Sequence, residues 1–224
     1  LIQLLNISIE LFLGSIKTHS ISVILELNML FMRIRDICKH RKQSKHYKQK
    51  RGEDMTEASQ TPNGVFSGRY TATLDGDFVL FLIGARIPMR HLPKAGWVGK
   101  AFNDMMKVLY QHPEKGFLGG EAFTRFFPIT SINVMYWRSY EHLEQFSRDK
   151  SDPHLEAWRR FNKEIGEAGT IGIWHETYLI KAGNYEVVYG NMPHFGMGKV
   201  GIHTPITSRL NTGRNRMDAT AITK

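Results

Sequence analysis

Cysteine is almost absent from this chain: Cys38 is the only one among 224 residues. A lone thiol rules out an intrachain disulfide framework and a cysteine-based zinc site, and it suits a reducing, cytoplasmic setting. Nowhere does an uninterrupted apolar run reach the length of about 18 residues that an ordinary membrane-spanning helix requires. Nucleotide and hydrolase signatures are missing as well. Gly196-Met-Gly198 lies in a stretch after Pro193 that reads irregular and does not signify a dinucleotide site, and there is no phosphate-binding P-loop, no Gly-x-Ser-x-Gly and no His-Glu-x-x-His, so the common dinucleotide, serine-hydrolase and zinc-protease mechanisms lose their usual carriers. What is present is ordinary globular usage, 42% hydrophobic and 23% charged, which excludes a disordered or collagen-like chain.

The formal net charge of +9 is unevenly placed. Residues 1–54 hold ten Lys/Arg against five Asp/Glu, and residues 55–224 hold twenty against sixteen. The densest block, Arg33 to Arg51, has nine basic residues and the single acid Asp36. Such a block reads as a solvated arm. Because the surplus gathers there, neither a nucleic-acid partner nor a membrane partner is expected of the remainder. Leu1 to Met32 is apolar but broken by Glu10, Lys17, His19 and Glu26, and its basic residues follow the apolar part, the reverse of a secretory signal. Met55-Thr-Glu-Ala-Ser reads like an ordinary N-terminus. The expectation is an extension over 1–54 that is upstream sequence, a flexible lead-in over 55–77, a folded domain over 78–200 and an irregular tail over 201–224. The other reading of 1–54 is an amphipathic anchor with a basic flank.

Periodicity supplies the elements of the domain. Phe78 to Ile83 is a short apolar run and reads as a strand buried on both faces. Trp97 to Gln111 has a helical period, stopped at His112-Pro. Phe123 to Pro128 and Ser131 to Arg138 read as strands. Tyr140 to Asp149 reads as a helix. Asp152-Pro153 starts another, with Asp as N-cap and Pro in the first turn, and Leu155, Trp158, Phe161 and Ile165 carry its apolar stripe. Ile171 to Ile180 reads as a strand, followed by a turn at Ala182 to Asn184 and a hairpin partner at Tyr185 to Tyr189. The order β-α-β-β-α-β-β predicts an α+β, ferredoxin-like fold, an antiparallel sheet covered on one face by helices. Strands apolar on both sides need a second cover, which predicts a homodimer of two sheets face to face, a dimeric α+β barrel.

The chemistry-bearing side chains sit in and beside those strands. In Gly172-Ile-Trp174-His175-Glu176-Thr177-Tyr178, alternation puts His175 with Ile173 and Thr177, and Trp174 with Glu176 and Tyr178. A carboxylate in a buried strand needs a partner; Arg86 and Arg138, at the ends of other strands, are the candidates. Glu176 is then a structural ion pair or a general base. His175 is a hydrogen-bonded core residue, a proton shuttle or a haem ligand. Tyr136, Trp137 and Arg138 with His142 form a second group, able to stack on a planar substrate or to fill the core. His154 and Trp158 share one face of a helix and form a third.

These stretches also carry a resemblance. Phe81-Leu-Ile-Gly84-Ala-Arg86-Ile87, Tyr136-Trp-Arg-Ser139, Glu141-His-Leu143, His154-Leu-Glu-Ala-Trp158-Arg-Arg-Phe161, Gly172 to Tyr178, Tyr185-Glu186 and Tyr189-Gly-Asn-Met-Pro193 stand in one order. Over about residues 66–200 the chain resembles the monooxygenase-like family that includes a fungal monooxygenase of fumagillin biosynthesis. That family is similar to antibiotic-biosynthesis monooxygenases and, more distantly, to haem-containing aldoxime dehydratases. Two departures stand out: His194 occupies a place where a more apolar residue fits the family, and residues 1–54 have no counterpart. The resemblance implies a dimeric α+β barrel and a monooxygenase of secondary metabolism that oxidises an aromatic or polyketide-like small molecule with oxygen. His175 or Glu176 would take a substrate proton and Arg138 or Arg86 would stabilise the anion. Trp137, Trp174, Tyr178, His154 and Trp158 would shape the pocket. No flavin or nicotinamide motif is visible, so the choices are no cofactor, or haem on His175, His142 or His154. The alternatives are a haem-dependent enzyme of the aldoxime dehydratase type and a non-catalytic binding barrel. N-terminal sequencing of the native protein should find Met55 or Thr56 at the mature end; an end before residue 40 overturns the reading of residues 1–54.

Overall fold

The structure, a computed structural model, describes residues 64–126 and 129–221. The expectations for residues 1–63, including the basic block and the alternative start, lie outside the described residues.

Four strands form the central sheet: β2 (Phe78–Ile87), β3 (Phe117–Phe126), β4 (Ile129–Trp137) and β5 (Gly172–Ile180). Their order is β3-β4-β2-β5, and every neighbouring pair is antiparallel. With α1 (Leu92–Gln111) after β2, and α2 (Tyr140–Arg148) and α3 (Pro153–Glu164) between β4 and β5, this is the ferredoxin-like α+β plan. The apolar run from Phe78 onward becomes the inner strand β2 because both of its edges are paired. Its alternate residues then point to two different apolar layers.

One layer faces the helices. Val79, Met135 and Trp137 from the sheet meet Leu109 of α1 and Leu143 and Phe146 of α2, with Phe117 completing the cluster. Trp137 is 1% exposed, with its ring centroid 5.5 Å from Phe117 and 5.8 Å from Phe146. Ser139 caps α2 by accepting from the His142 N–H at 3.4 Å. Asp152 holds the N-cap position of α3, but its side chain makes no capping bond. It accepts from Lys115 Nζ at 2.7 Å while almost fully buried. The ammonium outcompetes a backbone N–H for a buried carboxylate, because a charge in that setting needs a countercharge.

The other face of the sheet is partly covered by segments that the sequence reading left unstructured. Phe66–Thr73, inside the expected lead-in, is strand β1. It pairs antiparallel with β6 (Tyr189–Met192) on one side and with β7 (Ile202–Pro205) on the other. The expected irregular tail holds β7 and α5 (Gly213–Ala221), and α4 (Met197–Val200) precedes it. The expected hairpin partner of β5 at Tyr185 to Tyr189 does not form. Side-chain bonds hold the segment instead: the Tyr185 hydroxyl accepts from the N–H of Leu74 and donates to its carbonyl, and Thr71 Oγ1 donates to the Val187 carbonyl. β1 is rich in Thr, Gly and Ser, and its partners lie more than 100 residues away, so no local turn signal announced it. Ala72, Leu74 and Met197 from this small layer pack with Phe78, Leu80, Tyr136 and Ile180 of the main sheet.

Trp137 is therefore the side chain whose removal should cost most. Trp137→Ala should lower unfolding free energy by about 3–5 kcal/mol in urea titrations, whereas Trp158→Ala, at a half-exposed site, should shift it by no more than about 0.5 kcal/mol. Equal effects overturn this account of the core.

Candidate functional site

β5 is an edge strand, and its two faces have different surroundings. Register with β2 sets His175 opposite Ile83 and Thr177 opposite Phe81, on the side where Phe81 and Ile83 pack toward the helices. The rings of His175 and Phe81 lie 5.5 Å apart. Asn133 stands opposite Ile83 on its other side. His175 and Asn133 thus flank Ile83 across three strands, roughly 10 Å apart by strand spacing. Asn133 Nδ2 donates to the Ile83 carbonyl at 3.2 Å, leaving its Oδ1 and a second N–H for another partner. On the same face of β5, Ile173 and Leu179 are exposed. Phe102, Met105 and Met106 of α1 are only partly buried. The result is an open, apolar flank containing one exposed imidazole, with an amide behind it.

The outer face is organised differently. Glu176 stands opposite Leu82, Trp174 opposite Gly84 and Tyr178 opposite Leu80. The Trp174 indole lies across Gly84: a Cβ there would sit 2.7 Å from Trp174 Nε1. A groove of about 490 Å³ runs past Phe123, Ile132 and Trp174 to Arg125 and Thr130.

These placements correct several expectations. Glu176 is exposed rather than buried, and its partner is neither Arg86 nor Arg138 but the hydroxyl of Tyr178 on its own strand, at 2.5 Å. Arg86 is on the outer face opposite Gly172 and donates to the Gly169 carbonyl at 3.1 Å. Arg138 is exposed beyond the end of β4. Trp137 is core, and Trp174 is on the outer face. His142 shares a hydrogen bond of 2.9 Å with Ser139 Oγ and borders a cavity of about 170 Å³ beside Lys115 and Asp152. His154 donates through Nδ1 to the Ser147 carbonyl at 3.0 Å, tying α3 to α2. Trp158 stacks on Phe161 with ring centroids 5.9 Å apart. Of the residues singled out in the sequence, only His175 faces the helix-side flank of β5. Asn133 escaped notice there, although an amide between Ile132 and Val134 in an apolar strand was a usable signal.

The short Tyr178–Glu176 bond has a titration signature. The Glu176 carboxylate accepts from the Tyr178 phenol and its charge opposes ionisation, so the phenol is held above its ordinary value of 10.0. Glu176→Gln removes the charge and should bring the Tyr178 titration back down, read by absorbance at alkaline pH against a Tyr178→Phe control. An unchanged titration overturns the contact.

Solved structures with a similar fold include an aldoxime dehydratase in complex with butyraldoxime (18% identity, TM-score 0.49, covering 61% of this chain and 41% of that chain). A hydroxynitrile lyase from Passiflora edulis is also similar (16% identity, TM-score 0.33, 46% of this chain and 94% of that one). So is a dimeric ferredoxin-like protein from an uncultured marine organism (8% identity, TM-score 0.28, 47% and 96%). The chain spans less than half the length of the aldoxime dehydratases it matches, 41% and 44%. No curated protein matches it. Residues 78–197, more than half of the chain and running from the start of β2 to the start of α4, match the Monooxygenase af470-like family, and the chain belongs to that family.

Proposed function

We propose that the helix-side flank of β5 oxidises an aromatic or polyketide-like small molecule with molecular oxygen. One observation carries the reading. The His175 imidazole is exposed on an apolar face, and its ring nitrogens have no hydrogen-bond partner among the described residues. An unpaired imidazole beside an apolar flank is a suitable general base. Membership of a monooxygenase-like family supports the reaction class.

The chemistry follows from the two polar groups. A flat substrate packs against Phe81, Ile83 and the methionines of α1, whose flexible side chains adapt to it. The His175 imidazole takes a proton from a CH₂ group made acidic by a neighbouring carbonyl or phenol. The free N–H of Asn133 donates to the oxygen on which negative charge collects. The carbanion gives its electrons to O₂. In balance, the CH₂ becomes C=O, one oxygen atom enters the substrate, and the other leaves as water with both hydrogens.

Haem is the second reading, and it rests on the same imidazole. His154 bridges two helices and His142 borders a cavity of only about 170 Å³, whereas His175 is exposed on the apolar flank, so His175 is the histidine of the three that would hold a haem iron. A haem held there would supply a redox-active Lewis-acid iron, with Phe81 beside the ligand ring.

The test is oxygen uptake by the full chain on activated phenols and 1,3-dicarbonyl compounds, with a hemin titration alongside. His175→Ala should cut kcat by about 10²–10⁴, the usual weight of a general base, and Asn133→Ala by about 10²–10³, that of one oxyanion donor. A stoichiometric Soret band that His175→Ala abolishes moves the assignment to haem. Full activity in His175→Ala with loss in Glu176→Gln places the chemistry on the other face and overturns the reading.

A further inference from the structure

The outer face of the main sheet contains a groove that the proposed reaction does not use. Its shape follows from one missing side chain. Gly84 of β2 leaves a notch, and the Trp174 indole of β5 lies across it; a Cβ on Gly84 would sit 2.7 Å from Nε1 and 3.0 Å from Cε2. The indole thereby leaves its own strand and reaches over β2. Ile132 of β4 is paired with Gly84 on one side and Phe123 on the other, so it forms the floor between the indole and the Phe123 ring. Phe195 packs against that ring, 6.1 Å between centroids, yet Phe123 stays 43% exposed. The space of about 490 Å³ falls within the range of about 300–1,000 Å³ that small-molecule sites occupy.

Charged groups stand beyond both ends of this apolar stretch. Two residues along the strands in one direction, about 7 Å away, Arg86 and Arg125 flank Thr130. The same distance in the other direction are Glu176, paired with Leu82, and Glu121, paired with Val134. Arg125 lines the groove. It donates to Thr130 Oγ1 at 3.3 Å, which leaves its other guanidinium N–H groups for a further acceptor. Arg86 is turned to the Gly169 carbonyl at 3.1 Å. Among the described residues neither arginine pairs with an acid, and the Trp174 N–H has no hydrogen-bond partner.

We propose that this groove binds a small aromatic monocarboxylate. The ring enters between the Trp174 indole and Phe123, over Ile132, where aromatic contacts add to the burial of apolar surface. The carboxylate turns to Arg125, whose planar fork matches its two oxygens. Beside an apolar floor that bond is stronger than the same contact in open water. One reachable guanidinium matches one negative charge, because Arg86 is held at Gly169. The acids at the far end set the orientation: Glu176 and Glu121 repel an anionic group, so the ligand carries its charge only at the Arg125 end. The groove lies on the opposite face of the sheet from His175 and Asn133, so this site stands or falls apart from the reaction on the helix side.

Calorimetric titration of the full chain with 2-naphthoate tests it, with 2-naphthamide as the uncharged counterpart of the same shape. The naphthoate should bind at a single site, about tenfold or more tighter than the amide, the weight of one charge-assisted hydrogen bond. Arg125→Met, at an exposed position, should weaken the naphthoate by about tenfold or more and leave the amide within about threefold, well under that unit. Trp174→Leu should weaken both. His175→Ala, on the other face, should leave naphthoate affinity within about threefold. Circular dichroism of each variant confirms that it stays folded. Equal affinity for the acid and the amide overturns the proposal, and so does an Arg125→Met variant that binds the naphthoate as the wild type does. Loss of binding in His175→Ala moves the ligand to the helix side and overturns it too. Absence of binding in a chain that sediments as a dimer gives this face to a second copy instead, and absence of binding in a monomer leaves the groove without this ligand; either result overturns the proposal.

Discussion

The double pairing of β2 is the constraint on which the rest depends. From Val79 to Arg86 it is matched residue for residue by β4 on one side and β5 on the other. A slip of one residue would move every side chain to the opposite face. Val79, Phe81 and Ile83 would leave the helices, and Phe78, Leu80 and Leu82 would take their place. Apolar side chains on both faces of β2 make this strand hard to place from one pattern. Its neighbours break the tie: Trp137 and Met135 fit only the helix-side core, and Glu176 and Glu121 fit only the opposite side. Once register is set, His175 and Asn133 are carried to one face and Arg86, Arg125, Glu121 and Glu176 to the other.

The small β6-β1-β7 layer adds a boundary. It covers the end of the outer face near Phe78, Leu80 and Ile180 and leaves the end near Gly84 and Arg86 open. Tyr136 marks the border. Burial, with Tyr189 and Glu121 nearby, pushes its phenol up to about 12, so it stays protonated and able to donate at any physiological pH. The sheet therefore has one face closed by helices except along β5, and another closed by its own chain except beyond Tyr136. Each opening has its own chemistry, an imidazole at one and the pairs Glu176, Glu121 and Arg86, Arg125 at the other.

Legibility followed the range of the contacts. β2, α1, α2, α3 and β5 were readable from local periodicity, because a helix or strand that buries one stripe shows that stripe within its own length. The alternation along Gly172 to Tyr178 also sorted His175 from Glu176 correctly. β1 and β7 were not readable. β1 mixes apolar residues with Ser, Gly, Arg and Thr, β7 is short, and their partners are distant, so only the assembled layer gives them a ladder. Asp152 was recognised as an N-cap by residue type, but its buried partner Lys115 is 37 positions away, and that partner decided the bond it makes.

By itself the sequence determined the α+β class, the ferredoxin-like element order, the family, and the two alternating sets of side chains on β5. Each of these is a property of residue type and spacing, which local sterics and hydrophobic periodicity translate directly. Tertiary structure alone decided which set faces the helices, that Trp137 is core and not pocket, and that Arg86 and Arg138 do not reach Glu176. It alone brought Glu176 and Glu121 to one level of the outer face, and Arg86 and Arg125 to another. Those outcomes depend on strand order and register, which are set by contacts between segments far apart in the chain and leave no trace in any single stretch of it.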